Sequence, residues 1–156
     1  MIQFAVPSSG GYLLLANTVY LNIYDVYDSA DTFRSLWTIT SQFTKKSKTY
    51  LPSQVTTNKD RYIAMNTITT YSAGSESLGT GIIQLATTDF PLGFYDVKIY
   101  ENTSNENLDP TGLKVVYNGL MNLVSKDGAT GADTPPVEYT DYTTNDSDTE
   151  SVYITF

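Results

Sequence analysis

Apolar and polar residues alternate along most of this chain, and the 3.6-residue period of an amphipathic helix is nearly absent. Residues 2–6 and 12–15 are short apolar runs separated by Ser8-Ser9-Gly10-Gly11, a pattern that predicts two strands about a turn. Residues 18–26 alternate, with Val19, Leu21, Ile23 and Asp25 on one face and Tyr20, Tyr24 and Val26 on the other. Apolar groups on both faces predict a strand covered from both sides. Residues 33–43 form the next, setting Leu36, Thr38 and Thr40 against Trp37, Ile39 and Ser41. Residues 48–51 precede a break at Pro52-Ser53, residues 61–70 make a longer strand, and residues 79–86 follow a polar loop at 72–77. The cleanest alternation lies after the Pro91-Leu92-Gly93 turn: Tyr95, Val97 and Ile99 face one way, Phe94, Asp96, Lys98 and Tyr100 the other. Asp109-Pro110-Thr111-Gly112 is a strong turn signal. Residues 113–124 are interrupted by Asn118-Gly119, which reads either as a type I′ hairpin turn or as a bulge within one long strand.

Seven to nine short strands within residues 1–125, with no convincing helix, predict an all-β fold: a single β-sandwich of immunoglobulin-like size. The lone Trp37 then has two readings, a core pillar between the sheets or an anchor facing a partner. Residues 126–156 differ in character. They hold seven acidic residues against one basic, a net of −6, whereas residues 1–125 hold ten against eight. Gly128, Gly131, Pro135 and Pro136 punctuate this stretch, so it reads as an extended acidic C-terminal arm. It closes on Ser151-Val152-Tyr153-Ile154-Thr155-Phe156, a strand signature that either completes the domain's own sheet or adds to the sheet edge of a neighbour.

Composition narrows the chemistry. The 156 residues include neither Cys nor His. That excludes thiol and imidazole catalysis, disulfide frameworks and the usual zinc sites, and no cofactor is expected. A net charge of −8 makes nucleic acid a poor partner. No apolar run approaches the ~18 residues of a membrane span, so no membrane is expected. Residues 1–7 lack the basic start of a secretory signal, which suggests assembly in the cytoplasm. Charged residues are only 17%, against about 25% in typical domains, while tyrosines number 13 and threonines 23. Such a surface suits burial against other subunits, and equally an ordinary β-rich exterior.

The candidate sites are few. Asp25, Asp28 and Asp31, and the run at 145–150, are oxygen-rich but lack calcium-loop spacing, so solvated loops are expected. Asp96 and Glu101 are a weak candidate for paired-carboxylate chemistry. Asn102-Thr103-Ser104 and Asn145-Asp146-Ser147 match the glycosylation pattern, which means little without export. Lys45, Lys46, Lys48, Lys59 and Arg61 place five of the nine basic residues within seventeen positions. The cluster reads as a guard on an edge strand and also as a patch for the acidic arm of another copy, with Tyr153 and Phe156 as the arm's contacts.

Residues 93–124, GFYDVKIYENTSNENLDPTGLKVVYNGLMNLV, resemble a segment of small virion-associated β-proteins of phages infecting Bacteroidetes. Their common pattern is a Gly-aromatic-Tyr strand ending in Tyr-Glu, an Asn-Leu-Asp-Pro turn, and a Gly-Leu-Lys-Val-Val strand. The likeness extends upstream through residues 33–44 and Asn58-Lys59-Asp60-Arg61-Tyr62, covering about residues 30–125. It implies a non-enzymatic virion structural protein with an immunoglobulin-like fold, repeated in many copies and bound to other virion proteins. A capsid-associated decoration or auxiliary protein is expected, with a neck or tail component next. The rival from another class is a carbohydrate- or receptor-binding module, with Tyr20, Tyr24, Tyr95 or Tyr100 stacking on sugars.

Overall fold

The computed structural model describes residues 1–7, 14–22, 34–58 and 62–126, which form nine strands and two single-turn 3-10 segments. The strands are β1 (Ile2–Pro7), β2 (Leu14–Leu21), β3 (Arg34–Ser41), β4 (Ser47–Tyr50), β5 (Ser53–Asn58), β6 (Tyr62–Thr70), β7 (Ile82–Gln84), β8 (Gly93–Asn102) and β9 (Val115–Lys126). They make two sheets: five strands in the order β1-β9-β8-β3-β4, and four in which β6 is flanked by β2 on one side and by β5 and β7 on the other. The first strand runs parallel to the last, Ile2 opposite Met121 through Pro7 opposite Lys126. The other pairings are antiparallel apart from β6 with β7.

Two-residue alternation sets the inner faces. Phe4, Trp37, Ile39, Tyr95, Val97, Ile99, Met121 and Leu123 of the larger sheet meet Leu21, Ile63 and Met65 of the smaller one. Trp37 has no exposed surface, and its ring lies between Phe4 (centroids 6.2 Å apart, 14° between planes) and Tyr50 (6.1 Å, 46°). The core-pillar reading therefore describes it. Its indole N–H donates to the Met65 sulfur at 3.2 Å, and the Ser35 hydroxyl donates to the same atom at 2.9 Å. The Met65→Leu variant keeps the volume but removes this acceptor, and should cost about 1–2 kcal/mol. Chemical denaturation alongside Met121→Leu, an equally buried methionine, checks it: the control should lose less.

Polar groups stitch the layers where apolar ones do not. Asn17 on β2 reaches across to β1, its Oδ1 accepting from the Ala5 N–H at 2.7 Å and its Nδ2 donating to the Ala5 carbonyl at 3.1 Å. The Thr69 hydroxyl also donates to that carbonyl, at 2.6 Å. Inside, the Tyr50 and Thr67 hydroxyls lie 3.2 Å apart. At the start of β8 the Tyr95 hydroxyl donates to the Pro91 carbonyl four residues upstream, at 2.5 Å, and pins the corner to the strand.

Burial pushes the Tyr95 phenol up to about 12, and pushes Tyr50 higher still against a smaller opposing effect of Thr67. The unfolded chain loses these protons near pH 10 while the folded chain keeps them. Stability is therefore unaffected by these groups below pH 10 and falls as pH rises from 10 toward 12 and beyond. Denaturation measured across that range should show the decline, and Tyr50→Phe should make it shallower.

Several sequence expectations need correction. Residues 14–15 and 18–21 belong to one strand, β2, unbroken over Leu14–Leu21, and its outward Tyr20 is exposed rather than covered; residues 12–13 and 23–26 lie outside the described residues. The break expected at Pro52-Ser53 is only Leu51 and Pro52, because β4 ends at Tyr50 and β5 begins at Ser53 and pairs with β6. The strand expected over 79–86 shrinks to Ile82–Gln84, since Leu78–Thr80 forms a 3-10 turn ending at Gly81 with φ 77°. A Cβ at Gly81 would sit 3.0 Å from the Leu51 carbonyl oxygen, so glycine is required there for space as well as conformation. Asn118-Gly119 is no hairpin turn: both residues lie inside β9, paired with Lys98 and Val97. Gly119 is extended and faces inward beneath the Tyr117 ring, which occupies the space a side chain would take. The only register shift of β8 against β9 falls at Ile99/Tyr100 instead. Residues 127–156, with the arm and its closing strand, lie outside the described residues.

Candidate functional site

The basic cluster expected from the sequence divides in the structure. Lys45 and Lys46 sit in the turn between β3 and β4, both exposed. That turn is closed by Ser41 N–H to the Lys46 carbonyl and by Lys45 N–H to the Ser41 carbonyl, each 2.9 Å, with Lys45 at φ 60°. The Thr44 hydroxyl ties it to the Asp89 carbonyl at 2.5 Å, and the Gln42 N–H to the Phe94 carbonyl at 3.0 Å. The tip is thus held from two sides. Phe43, at its apex, is 87% exposed.

Lys48 does not join this patch. It shares the inward face of β4 with Tyr50, and its ammonium is taken up at the sandwich margin. There it pairs with the Glu76 carboxylate, donates to the Gln84 carbonyl at 2.9 Å and lies 4.6 Å from the Phe90 ring centre. Glu76 also accepts from the Gln84 N–H, so the pair holds β7 against β4. Lys48 is structural here, closing an open groove of about 340 Å³ lined by Thr87, Thr88, Asp89 and Phe90. Lys59, Arg61, Tyr153 and Phe156 lie outside the described residues, as do Asp25, Asp28, Asp31, Tyr24 and residues 145–150.

What the cluster missed, the strand parity supplies. The outward face of the larger sheet carries Phe94, Asp96 and Lys98 of β8 beside Asn122, Leu120 and Asn118 of β9. Phe94 is 53% and Leu120 45% exposed, and Leu92 is exposed where the chain turns into β8. Register puts Phe94 at the same end of the sheet as the Phe43 tip, since Ser41 is opposite Tyr95. The Gln42 amide donates to the Asp96 carboxylate at 3.0 Å, joining turn and face. The result is an apolar end, rimmed by lysines and short polar groups, on a rigid frame. Alternation in residues 94–101 already placed Phe94 outward; Phe43 carried no signal, because a phenylalanine beside a strand reads as core.

The remaining candidates resolve as follows. Tyr95 is buried and cannot stack on a sugar, whereas Tyr20 is exposed and Tyr100 half-buried. Asp96 and Glu101 are five residues apart on one strand and project from opposite faces. Asn102 is buried, with its amide donating to the Asn107 carbonyl and accepting from the Ser104 N–H, so its side chain is committed to the loop. Asp109 organises the next turn by accepting from the Thr111 hydroxyl and N–H, contacts that hold its carboxyl below the usual range. Among the described residues no three carboxylates gather as metal ligands, and no helix is long and apolar enough to cross a membrane.

Comparison with family models, with curated proteins and with solved structures finds no match.

Proposed function

We propose that this chain is a non-enzymatic structural protein of a phage particle, a capsid-associated auxiliary or decoration protein present in many copies and acting through protein–protein contacts. It would be built in the host cytoplasm into the virion. The observation that carries this reading is the exposed apolar end formed by Phe43, Leu92, Phe94 and Leu120, beside Asp96, Lys98, Asn118 and Asn122 on the same sheet face. Large apolar side chains gathered at one place on a small domain mark a contact surface. The segment that resembles virion proteins, residues 93–124, is the β8–β9 pair, and it supplies two of these four residues.

An immunoglobulin-like identity for the sandwich is part of the proposal. Its supports are the buried Trp37 on the third strand, the Tyr95–Pro91 corner at the entry to β8, and the split into β1-β9-β8-β3-β4 and β2-β6-β5. Fold alone would not give the function.

Quantitative mass spectrometry of purified particles tests the reading. Many copies per particle, retained through a density gradient, are expected; absence from particles overturns it. A low fixed copy number would move the chain to the neck or tail. Binding on a glycan array, with Tyr20 and Tyr100 as the described tyrosines of that reading that keep exposed surface, would favour the receptor-binding alternative.

A further inference from the structure

We propose that the end of the sandwich bearing the β3–β4 turn docks the acidic C-terminal segment, residues 127–156, of a second copy of this chain. The inference rests on the reading above for the presence of neighbouring copies, and adds to it a named surface and a named occupant.

The surface is an apolar anchor set among cations. Phe43 stands at the apex of a turn fixed by four hydrogen bonds, with Leu92 and Phe94 beside it. Register brings Lys126 to the same end, because β9 runs three residues past Leu123, the partner of Gly93. Lys45, Lys46 and Lys126 lie at this end with Asp89 and Asp96, Lys98 lies midway along β8 on the adjoining sheet face, and Asp96 accepts from Gln42. The opposite end has Arg34 and Lys114 against Glu101, Glu106 and Asp109. In a chain of net −8, the Phe43 end is thus the more basic of the two ends among the described residues.

The occupant is read from the sequence. Residues 127–156 carry seven carboxylates and no Lys or Arg, and they close on Val152-Tyr153-Ile154-Thr155-Phe156. Charge brings such a segment to the lysines, and its terminal apolar residues match the exposed Phe43–Phe94 surface. Length permits a second copy. Twenty-four residues of flexible linker span about 27 Å end to end. A domain of this size has a radius of gyration of about 14 Å, so equivalent points on touching copies are on the order of 30 Å apart, a comparable distance. The many copies of the reading above make a neighbour the occupant, and the mixing experiment below separates it from the chain's own turn.

Two full-length variants test the proposal. The turn variant carries Phe43→Ser, Lys45→Glu and Lys46→Glu, all at exposed side chains, and its thermal melting should match the native chain. The tail variant carries Asp146→Asn, Asp148→Asn, Glu150→Gln, Tyr153→Ser and Phe156→Ser. Light scattering should show the native chain gaining mass with concentration, with association at least tenfold weaker in high salt. Each variant alone should remain monomeric, and an equimolar mixture should stop at a one-to-one pair, one partner lending its segment and the other its turn. A native chain monomeric at every concentration overturns the proposal, as does association that survives both variants or a mixture that fails to pair. A monomeric chain that still enters particles in many copies would overturn the docking alone and leave the structural role standing.

Discussion

Replacing Trp37 with alanine should cost about 3–5 kcal/mol, the largest loss expected from any single substitution in this chain. The ring is sealed between Phe4 and Tyr50 and its N–H is held by Met65, so truncation leaves a cavity lined by both sheets. The strands on either side are pinned by ladders on both edges of β3 and cannot collapse into the space. At about 2–4 °C per kcal/mol for a domain of this length, the melting temperature should fall by roughly 6–20 °C. Urea denaturation measures it, and a loss under about 1 kcal/mol would remove Trp37 from the role of central pillar.

The second large effect is at Asn17. Asparagine in mid-strand is a poor β-former, yet here it does what a neighbouring strand would do, meeting both the N–H and the carbonyl of Ala5. Asn17→Ala leaves the Ala5 N–H without its acceptor at the sandwich margin, while the carbonyl keeps Thr69. The expected cost is about 2–3 kcal/mol, together with faster hydrogen exchange at the Ala5 amide. Asn17→Asp should not restore it, because a carboxylate beside the Ala5 carbonyl can accept but not donate. Stability unchanged in Asn17→Ala would mean that β1 is held by β9 and the core alone.

How much of this was legible in the sequence follows from what each segment asks of its neighbours. Residues 94–99 alternate exposed and buried because β8 is paired on both edges and buried on one face, whereas β3 buries Ser35, Leu36 and Trp37 in succession. β5 escaped because Ser53-Gln54-Val55-Thr56-Thr57-Asn58 is polar but for Val55; its pairing with β6, interrupted by an irregularity after Gln54, is a backbone matter. Asn118-Gly119 misleads for a tertiary reason, since Tyr117 fills the glycine's missing side-chain space and keeps the pair in the strand. The lysine cluster was visible as composition, but its division was not. Lys48 turns inward to Glu76 by strand parity on β4, whereas Lys45 and Lys46 lie in the turn before that strand and are exposed. Phe43 was the hardest to place, because only the close of the turn at Ser41 and Lys46 sets it in solvent.

The central claim, that the Phe43 end is a contact surface between copies in an assembly, is met most directly by photo-crosslinking from position 43. A photoreactive phenylalanine analogue in place of Phe43 would be carried by chains assembled into particles from an equal mixture of light and heavy isotope-labelled protein. The account expects crosslinks from position 43 to peptides of residues 127–156, half of them joining a light chain to a heavy one. Crosslinks confined to chains of one label, or an unreacted position 43 in particles that contain the protein, would contradict it.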